Sequence, residues 1–278
     1  MSVSIADVLR QSELPESETP ALDKEVLLCH VLNKDRTYLF TWPEKTLDEQ
    51  QLSAFYALLE RRQKGEPVAY LTGVREFWSL SLKVDQSTLI PRPDTERLVE
   101  VALEVMPDSP LNVVDLGTGT GAIALALASE RKHWMLTGID QSEEAVSLAK
   151  ENASLNRLER VGFKVGSWCD GIPPRSVDLV VSNPPYIAST DPHLREGDVR
   201  FEPLSALVAE QNGLSDIVDI AKQSSECLTA NGWLMIEHGF EQAAEVRRIF
   251  KGYGYTDVSS YQDLSGNDRV TIGRWPGL

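Results

Sequence analysis

Cysteine, histidine and positive charge are all scarce in this chain, and each shortage removes a class of protein. The three cysteines, Cys29, Cys169 and Cys227, are odd in number and far apart, with no Cys-x-x-Cys pair. Neither a disulfide framework nor a zinc site is expected from them. The four histidines, His30, His133, His193 and His238, show no ligand spacing, so no metal is expected. Lys and Arg number 27 against 42 Asp and Glu, a net charge of -15 and a pI near 4.7. Such a field repels phosphate backbones and anionic lipid, which argues against nucleic acid as a direct partner. No run approaches the roughly 18 apolar residues that a membrane span needs. The segment from Met1 to Leu9 has no basic patch followed by an apolar stretch, so a cytoplasmic, non-exported protein without a membrane partner is the expectation.

What is present is enough for a full core: 278 residues, 42% of them hydrophobic, which suits about two domains. Residues 1–72 read as a small helical bundle. Leu52, Phe55, Tyr56 and Leu59 share one helix face, Thr46 and Glu49 have the spacing of a capping box, and Arg61, Arg62 and Lys64 precede Gly65 at the other end. Leu22, Val26 and Cys29 repeat the pattern upstream. Residues 73–90 read as a hairpin linker, with Trp78, Leu80, Leu82 and Val84 alternating to one side before Pro91 and Pro93 stop regular structure.

From 91 to 278 short apolar runs alternate with helical patterns. Strands are predicted over Asn112 to Leu116, Met135 to Ile139, Val161 to Val165, Val177 to Ser182 and Trp233 to Glu237. Helices are predicted over Ala122 to Arg131, Ser142 to Asn156 and Glu241 to Phe250. This alternation predicts an α/β domain with a mostly parallel sheet covered on both faces. Two further strands, Val258 to Tyr261 and Arg269 to Gly273, flank Ser265-Gly266-Asn267-Asp268 and form an antiparallel C-terminal edge.

In such a sheet ligands bind beyond the carboxyl ends of the strands where strand order reverses, so the residues after the first four strands belong together. The first is followed by Gly117-Thr118-Gly119-Thr120-Gly121, whose glycines let backbone approach a ligand at a helix N-terminus. Its G-x-G-x-G spacing is one residue tighter than the dinucleotide fingerprint and leans away from a pyrophosphate, though an ordinary strand-helix turn reads the same way. After the second strand, Asp140 is placed to accept both hydroxyl protons of a ribose, in adenosylmethionine or in NAD. It could equally cap the next helix; Ser142 is assigned the cap and Asp140 the ribose. After the third, Trp168 is either an adenine platform or a core tryptophan.

The fourth strand runs into Asn183-Pro184-Pro185-Tyr186. Two prolines donate no hydrogen bonds and fix an extended turn. A planar amide or aryl amine has a delocalised lone pair, so its attack on a sulfonium methyl needs its NH₂ hydrogens held by acceptors. The Asn183 side-chain oxygen and the Pro184 carbonyl can take one each, while Tyr186 walls the flat group. Glu237-His238-Gly239 reads as a packed strand terminus rather than as acid-base machinery.

An [DN]-P-P-[YFW] turn after a glycine-rich first turn resembles the amino-group methyltransferases. Ile90-Pro91-Arg92-Pro93-Asp94-Thr95-Glu96, Gly73-Val74-Arg75-Glu76-Phe77-Trp78 and Gly197-Asp198-Val199-Arg200-Phe201-Glu202-Pro203-Leu204 resemble the PrmC (HemK) family over nearly the whole chain. The resemblance implies a Rossmann-like class I methyltransferase domain using S-adenosylmethionine. Its implied substrate is the N5 nitrogen of the glutamine in the Gly-Gly-Gln motif of class 1 peptide release factors, with the helical bundle gripping that partner. It further implies that Gly117 to Gly121 and Asp140 hold the cofactor with Trp168 beside its adenine, and that Asn183, Pro184, Pro185 and Tyr186 hold the glutamine. The family commonly has an acidic residue before the tryptophan; here Ser167 stands there, so no adenine N6 contact is implied from that position. A monomer is expected. A ribosomal-protein glutamine methyltransferase and a DNA adenine methyltransferase are the competing readings, the second lacking a basic recognition region.

Overall fold

The computed structural model describes residues 3–15 and 17–277, so the outer ends of the 1–72 and 91–278 readings, at residues 1, 2 and 278, lie outside the described residues. The chain divides into two units. One holds the sequence up to Val74 together with Arg195–Phe201, and the other holds Arg75–Leu194 and the chain from Glu202 onward.

The first unit packs the helices Ile5–Gln11, Pro20–Leu32, Arg36–Thr41, Glu49–Gln63 and Val68–Thr72 around Leu27, Leu28, Phe55 and Leu59. Helix Glu49–Gln63 starts two residues later than the Thr46–Glu49 reading. Thr46 is taken into a short antiparallel pairing with Ser4, and Asp48 caps instead, in a reciprocal box with Gln51. Tyr56 and Leu22 are exposed, whereas Asp23 is buried. The reason lies far along the chain: Arg62 reaches Asp23 at 2.8 Å and Asp198 at 2.9 Å, so one half-sequestered guanidinium neutralises a buried carboxylate and tethers the 195–201 segment.

The second unit is built on a seven-stranded sheet: β1 (Asn112–Leu116), β2 (Met135–Asp140), β3 (Gly162–Val165), β4 (Val177–Ser182), β5 (Leu228–Glu237), β6 (Thr256–Gln262) and β7 (Asp268–Arg274). Its order is β6-β7-β5-β4-β1-β2-β3. The five strands β3, β2, β1, β4 and β5 are parallel; β7 pairs antiparallel with β5 and β6 antiparallel with β7, so β7 is the reversed strand. Alternate residues feed two cores. Val113, Leu179, Val181 and Met235 pack with helices Glu96–Val105, Ala122–Glu130 and Glu143–Leu155, while Val114, Val180, Leu234 and Ile236 pack with Ser215–Cys227 and Ala243–Gly252. This is the three-layer α/β/α arrangement expected of near-continuous apolar strands.

The short strands Val74–Phe77 and Leu80–Lys83 pair with each other. Trp78 and Ser79 turn between them at φ 52° and 61°, so the period is broken and Phe77, not Trp78, is the buried partner of Leu82. Strand order reverses between β1 and β4, which opens a crevice at their carboxyl ends.

Candidate active site

That crevice is a cavity of about 440 Å³ within the second unit. It is lined by residues from the ends of strands β1 to β4: Gly117 to Thr120 after β1, Asp140 at the end of β2, Trp168 after β3, and Asn183 and Pro185 after β4. Of the predicted site residues, Gly121, Pro184 and Tyr186 stand outside this lining. Gly121 serves packing: it caps helix Ala122–Glu130 at φ 82°, and a Cβ there would stand 3.1 Å from the Phe163 ring.

The glycine turn is held from within. Gly117 and Thr118 donate their amides to the Ile139 carbonyl at 2.9 and 3.0 Å, and Gly119 donates to Asp140 Oδ2 at 2.9 Å. Beneath it, the buried Asp115 accepts from the Thr118 hydroxyl at 2.6 Å and the Ala124 amide at 3.2 Å. Burial pushes the Asp115 carboxyl up to about 7. With those amides occupied, the turn has few free N–H groups to offer a phosphate. The cavity's arginine, Arg92, is paired with the buried Glu202 carboxylate. Asp140 and Asp216 supply the unbalanced charge, so the lining suits a cationic ligand better than an anionic one.

Asp140 also accepts from the Ser142 amide at 3.0 Å, while Ser142 itself caps helix Glu143–Leu155 through the Ala145 amide at 3.1 Å. Each carboxylate oxygen of Asp140 keeps a lone pair for a ribose hydroxyl. Trp168 stands at φ 43°, and a Cβ on Gly117 would come 3.6 Å from its ring; glycine keeps the turn open beside that flat face.

Asn183 is set by its neighbours. Ser182 ties β4 to β1 by donating to the Leu116 carbonyl at 2.7 Å, and the next residue enters the cavity. Its Nδ2 donates to Thr95 Oγ1 at 3.1 Å, and its Oδ1 is buried without a partner. An unpaired buried acceptor is costly, and this one lines the cavity, where a donor can meet it. The Tyr186 carbonyl is pinned by Gln242 Nε2 at 3.0 Å, and burial together with the Glu237 carboxylate pushes the Tyr186 phenol's pKa up. Ser87, Thr88, Pro91, Arg92 and Thr95 also line the cavity, from a segment before β1 that strand-end reasoning does not reach.

The sheet order and the cavity at its switch point define a methyltransferase domain. A family described as "Methyltransferase small domain" matches residues 96–197, and one described as "PrmC N-terminal domain" matches residues 6–73. A methyltransferase from Pyrococcus furiosus shares the fold at TM-score 0.55 and 16% identity, over 79% of this chain and 98% of that one. The cofactor is S-adenosylmethionine, and the lining fits it: a carboxylate for hydroxyls, an aromatic face, an acidic balance and an orphaned acceptor. The release factor glutamine methyltransferase of Aliivibrio fischeri is 55% identical over 99% of both chains, and that of Escherichia coli is 49% identical over 95% of both. The chain belongs to the release factor glutamine methyltransferase family.

Proposed function

We propose that this enzyme methylates the N5 nitrogen of the glutamine in the Gly-Gly-Gln motif of class 1 peptide release factors. It acts as a cytoplasmic monomer that needs no nucleic acid, and residues 1–72 grip the partner. The observation that carries the reading is Asn183: an acceptor oxygen buried at the cavity wall with nothing bonded to it.

S-adenosylmethionine supplies an electrophilic sulfonium methyl group. Asp140 would accept the ribose hydroxyls and Trp168 would hold the adenine, with Gly117 to Thr120 shaping the floor. Asn183 Oδ1 and the Pro184 carbonyl each take one hydrogen of the glutamine NH₂, which turns the nitrogen lone pair toward carbon, and Pro185 and Tyr186 confine the flat amide. Once bound, the group would supply a methyl carbon for that nitrogen, the electrons of the broken carbon–sulfur bond would stay on sulfur, and the surplus amide proton would pass to water. Positioning supplies the rate, since neither metal nor strong base is called for. Among the described residues no helix is long and apolar enough to cross a membrane.

Incubation with radiolabelled S-adenosylmethionine and three substrates tests the reading. Label is expected on an intact class 1 release factor and on neither ribosomal protein nor plasmid DNA; label on either of the latter alone would overturn it.

A further inference from the structure

The buried end of β5 carries a carboxylate that the chemistry above does not use. Glu237 is 1% exposed, at the last position of its strand. Its Oε2 has no hydrogen-bond partner. The charged and titratable groups facing it are Arg269, Asp94 and Tyr186, and the Thr95 hydroxyl and the Tyr186 phenol are the neutral polar groups beside it. Arg269 is engaged elsewhere, with Asp263 at 3.1 Å and Asp94 at 3.5 Å, so it does not form an ion pair with Glu237.

Thr95 is the link to the cavity. It is 4% exposed, and its Oγ1 accepts from Asn183 Nδ2. A hydroxyl has one proton to give, and a carboxylate has none, so the chain of bonds has a direction. Thr95 accepts from the Asn183 NH₂, its own proton is left for the Glu237 carboxylate beside it, and the Asn183 oxygen is the end left for the cavity. The two ends of a carboxamide are nearly the same size, so packing alone does not choose between them; hydrogen bonding does. The other titratable neighbour, Tyr186, is the last residue of the same Asn183–Tyr186 turn, whose first residue is bonded to Thr95.

We propose that Glu237 and Thr95 are positioning residues for methyl transfer: the Glu237 carboxylate orients the Thr95 hydroxyl, which in turn keeps the Asn183 carbonyl oxygen facing the acceptor amide. The inference rests on the role given to Asn183 above. A protonated Glu237 becomes a donor to Thr95. Thr95 then turns its own proton toward Asn183, which favours the flipped amide and presents NH₂ to NH₂. Burial, reinforced by Asp94 and opposed by Thr95, Arg269 and Tyr186, pushes the Glu237 carboxyl up to about 7. Turnover should therefore rise with pH through that region as the carboxylate forms.

The test uses the full chain and an intact release factor. Thr95→Val is expected to lower kcat about tenfold or more while leaving S-adenosylmethionine affinity within about twofold, and Thr95→Ser, which keeps the hydroxyl, restores turnover. In an Asn183→Ala background Thr95→Val should cost less than about twofold, because the residue it orients is gone. Glu237→Gln should abolish the rise of kcat with pH. Wild-type kcat in Thr95→Val, equal damage from Thr95→Ser, multiplicative loss in the double variant, or an unchanged pH profile in Glu237→Gln would each overturn the proposal. If the unmutated enzyme leaves the release factor unlabelled, the functional reading itself falls, and this inference with it.

Discussion

Replacing Asn183 by alanine should separate activity from stability. In the folded chain Oδ1 is buried and unpaired, while Nδ2 makes one bond to Thr95. Removing the oxygen relieves a desolvation penalty of about 1–3 kcal/mol, and removing the nitrogen loses a bond worth about 1 kcal/mol. The difference runs from nothing to a gain of about 2 kcal/mol, so the thermal midpoint should hold or rise. Turnover should behave oppositely. One of the two acceptors that fix the substrate amide disappears, and a hundredfold loss corresponds to about 2.7 kcal/mol of transition-state stabilisation. Asp140, Trp168 and the glycine turn are untouched, so cofactor affinity should stay near that of the unmutated enzyme. Steady-state methyl transfer to a release factor, calorimetric titration with S-adenosylmethionine and thermal unfolding measure the three quantities. Unchanged turnover, or a loss confined to cofactor affinity, would refute the reasoning.

Three further outcomes follow from the same contacts. Asp115, with its carboxyl raised to about 7 in the fold against an ordinary 3.8, holds a proton that the unfolded chain has released; free-protein stability should fall as pH rises from about 4 to 7, and Asp115→Asn should flatten that slope in pH-dependent denaturant titrations. Gly138→Ala should destabilise by about 1–3 kcal/mol and weaken cofactor binding, since the added Cβ would stand 2.6 Å from both the Phe163 ring and Thr118 Oγ1, as unfolding and titration can check. Arg62→Ala should cost about 3 kcal/mol by stranding the buried Asp23, visible as a lower unfolding midpoint.

Much of this was legible in the residues. The parallel strands declare themselves as short apolar runs because both their faces are covered, and the C-terminal pair is set off by the Ser265 to Asp268 turn. Ser142 reads as a cap and is one. What stayed hidden depends on partners distant in sequence. Thr46 and Asp48 each stand three residues before an acceptor-bearing side chain, and only the pairing of Thr46 with Ser4 decides which of them caps. Asp23 does not read as a core residue until Arg62 arrives from another helix. Periodicity also misses a turn placed on a tryptophan, as at Trp78. In the candidate site, strand-end logic reaches Asp140, Trp168 and Asn183, but the wall formed by Ser87 to Thr95 precedes the sheet altogether. Its signal is the Pro91-Arg92-Pro93-Asp94-Thr95 run, which carries a family likeness but no chemistry legible from its residue types. Glu237 read as a strand end; only the fold shows which turn it faces.

The most direct measurement is a crystal structure of the enzyme with S-adenosylhomocysteine and a glutamine-bearing substrate. The account predicts the ribose on Asp140, the sulfur beside the Asn183–Tyr186 turn, and the glutamine NH₂ within hydrogen-bond distance of Asn183 Oδ1. A nucleoside bound away from that turn, or an Asn183 amide presenting its nitrogen to the glutamine, would contradict it.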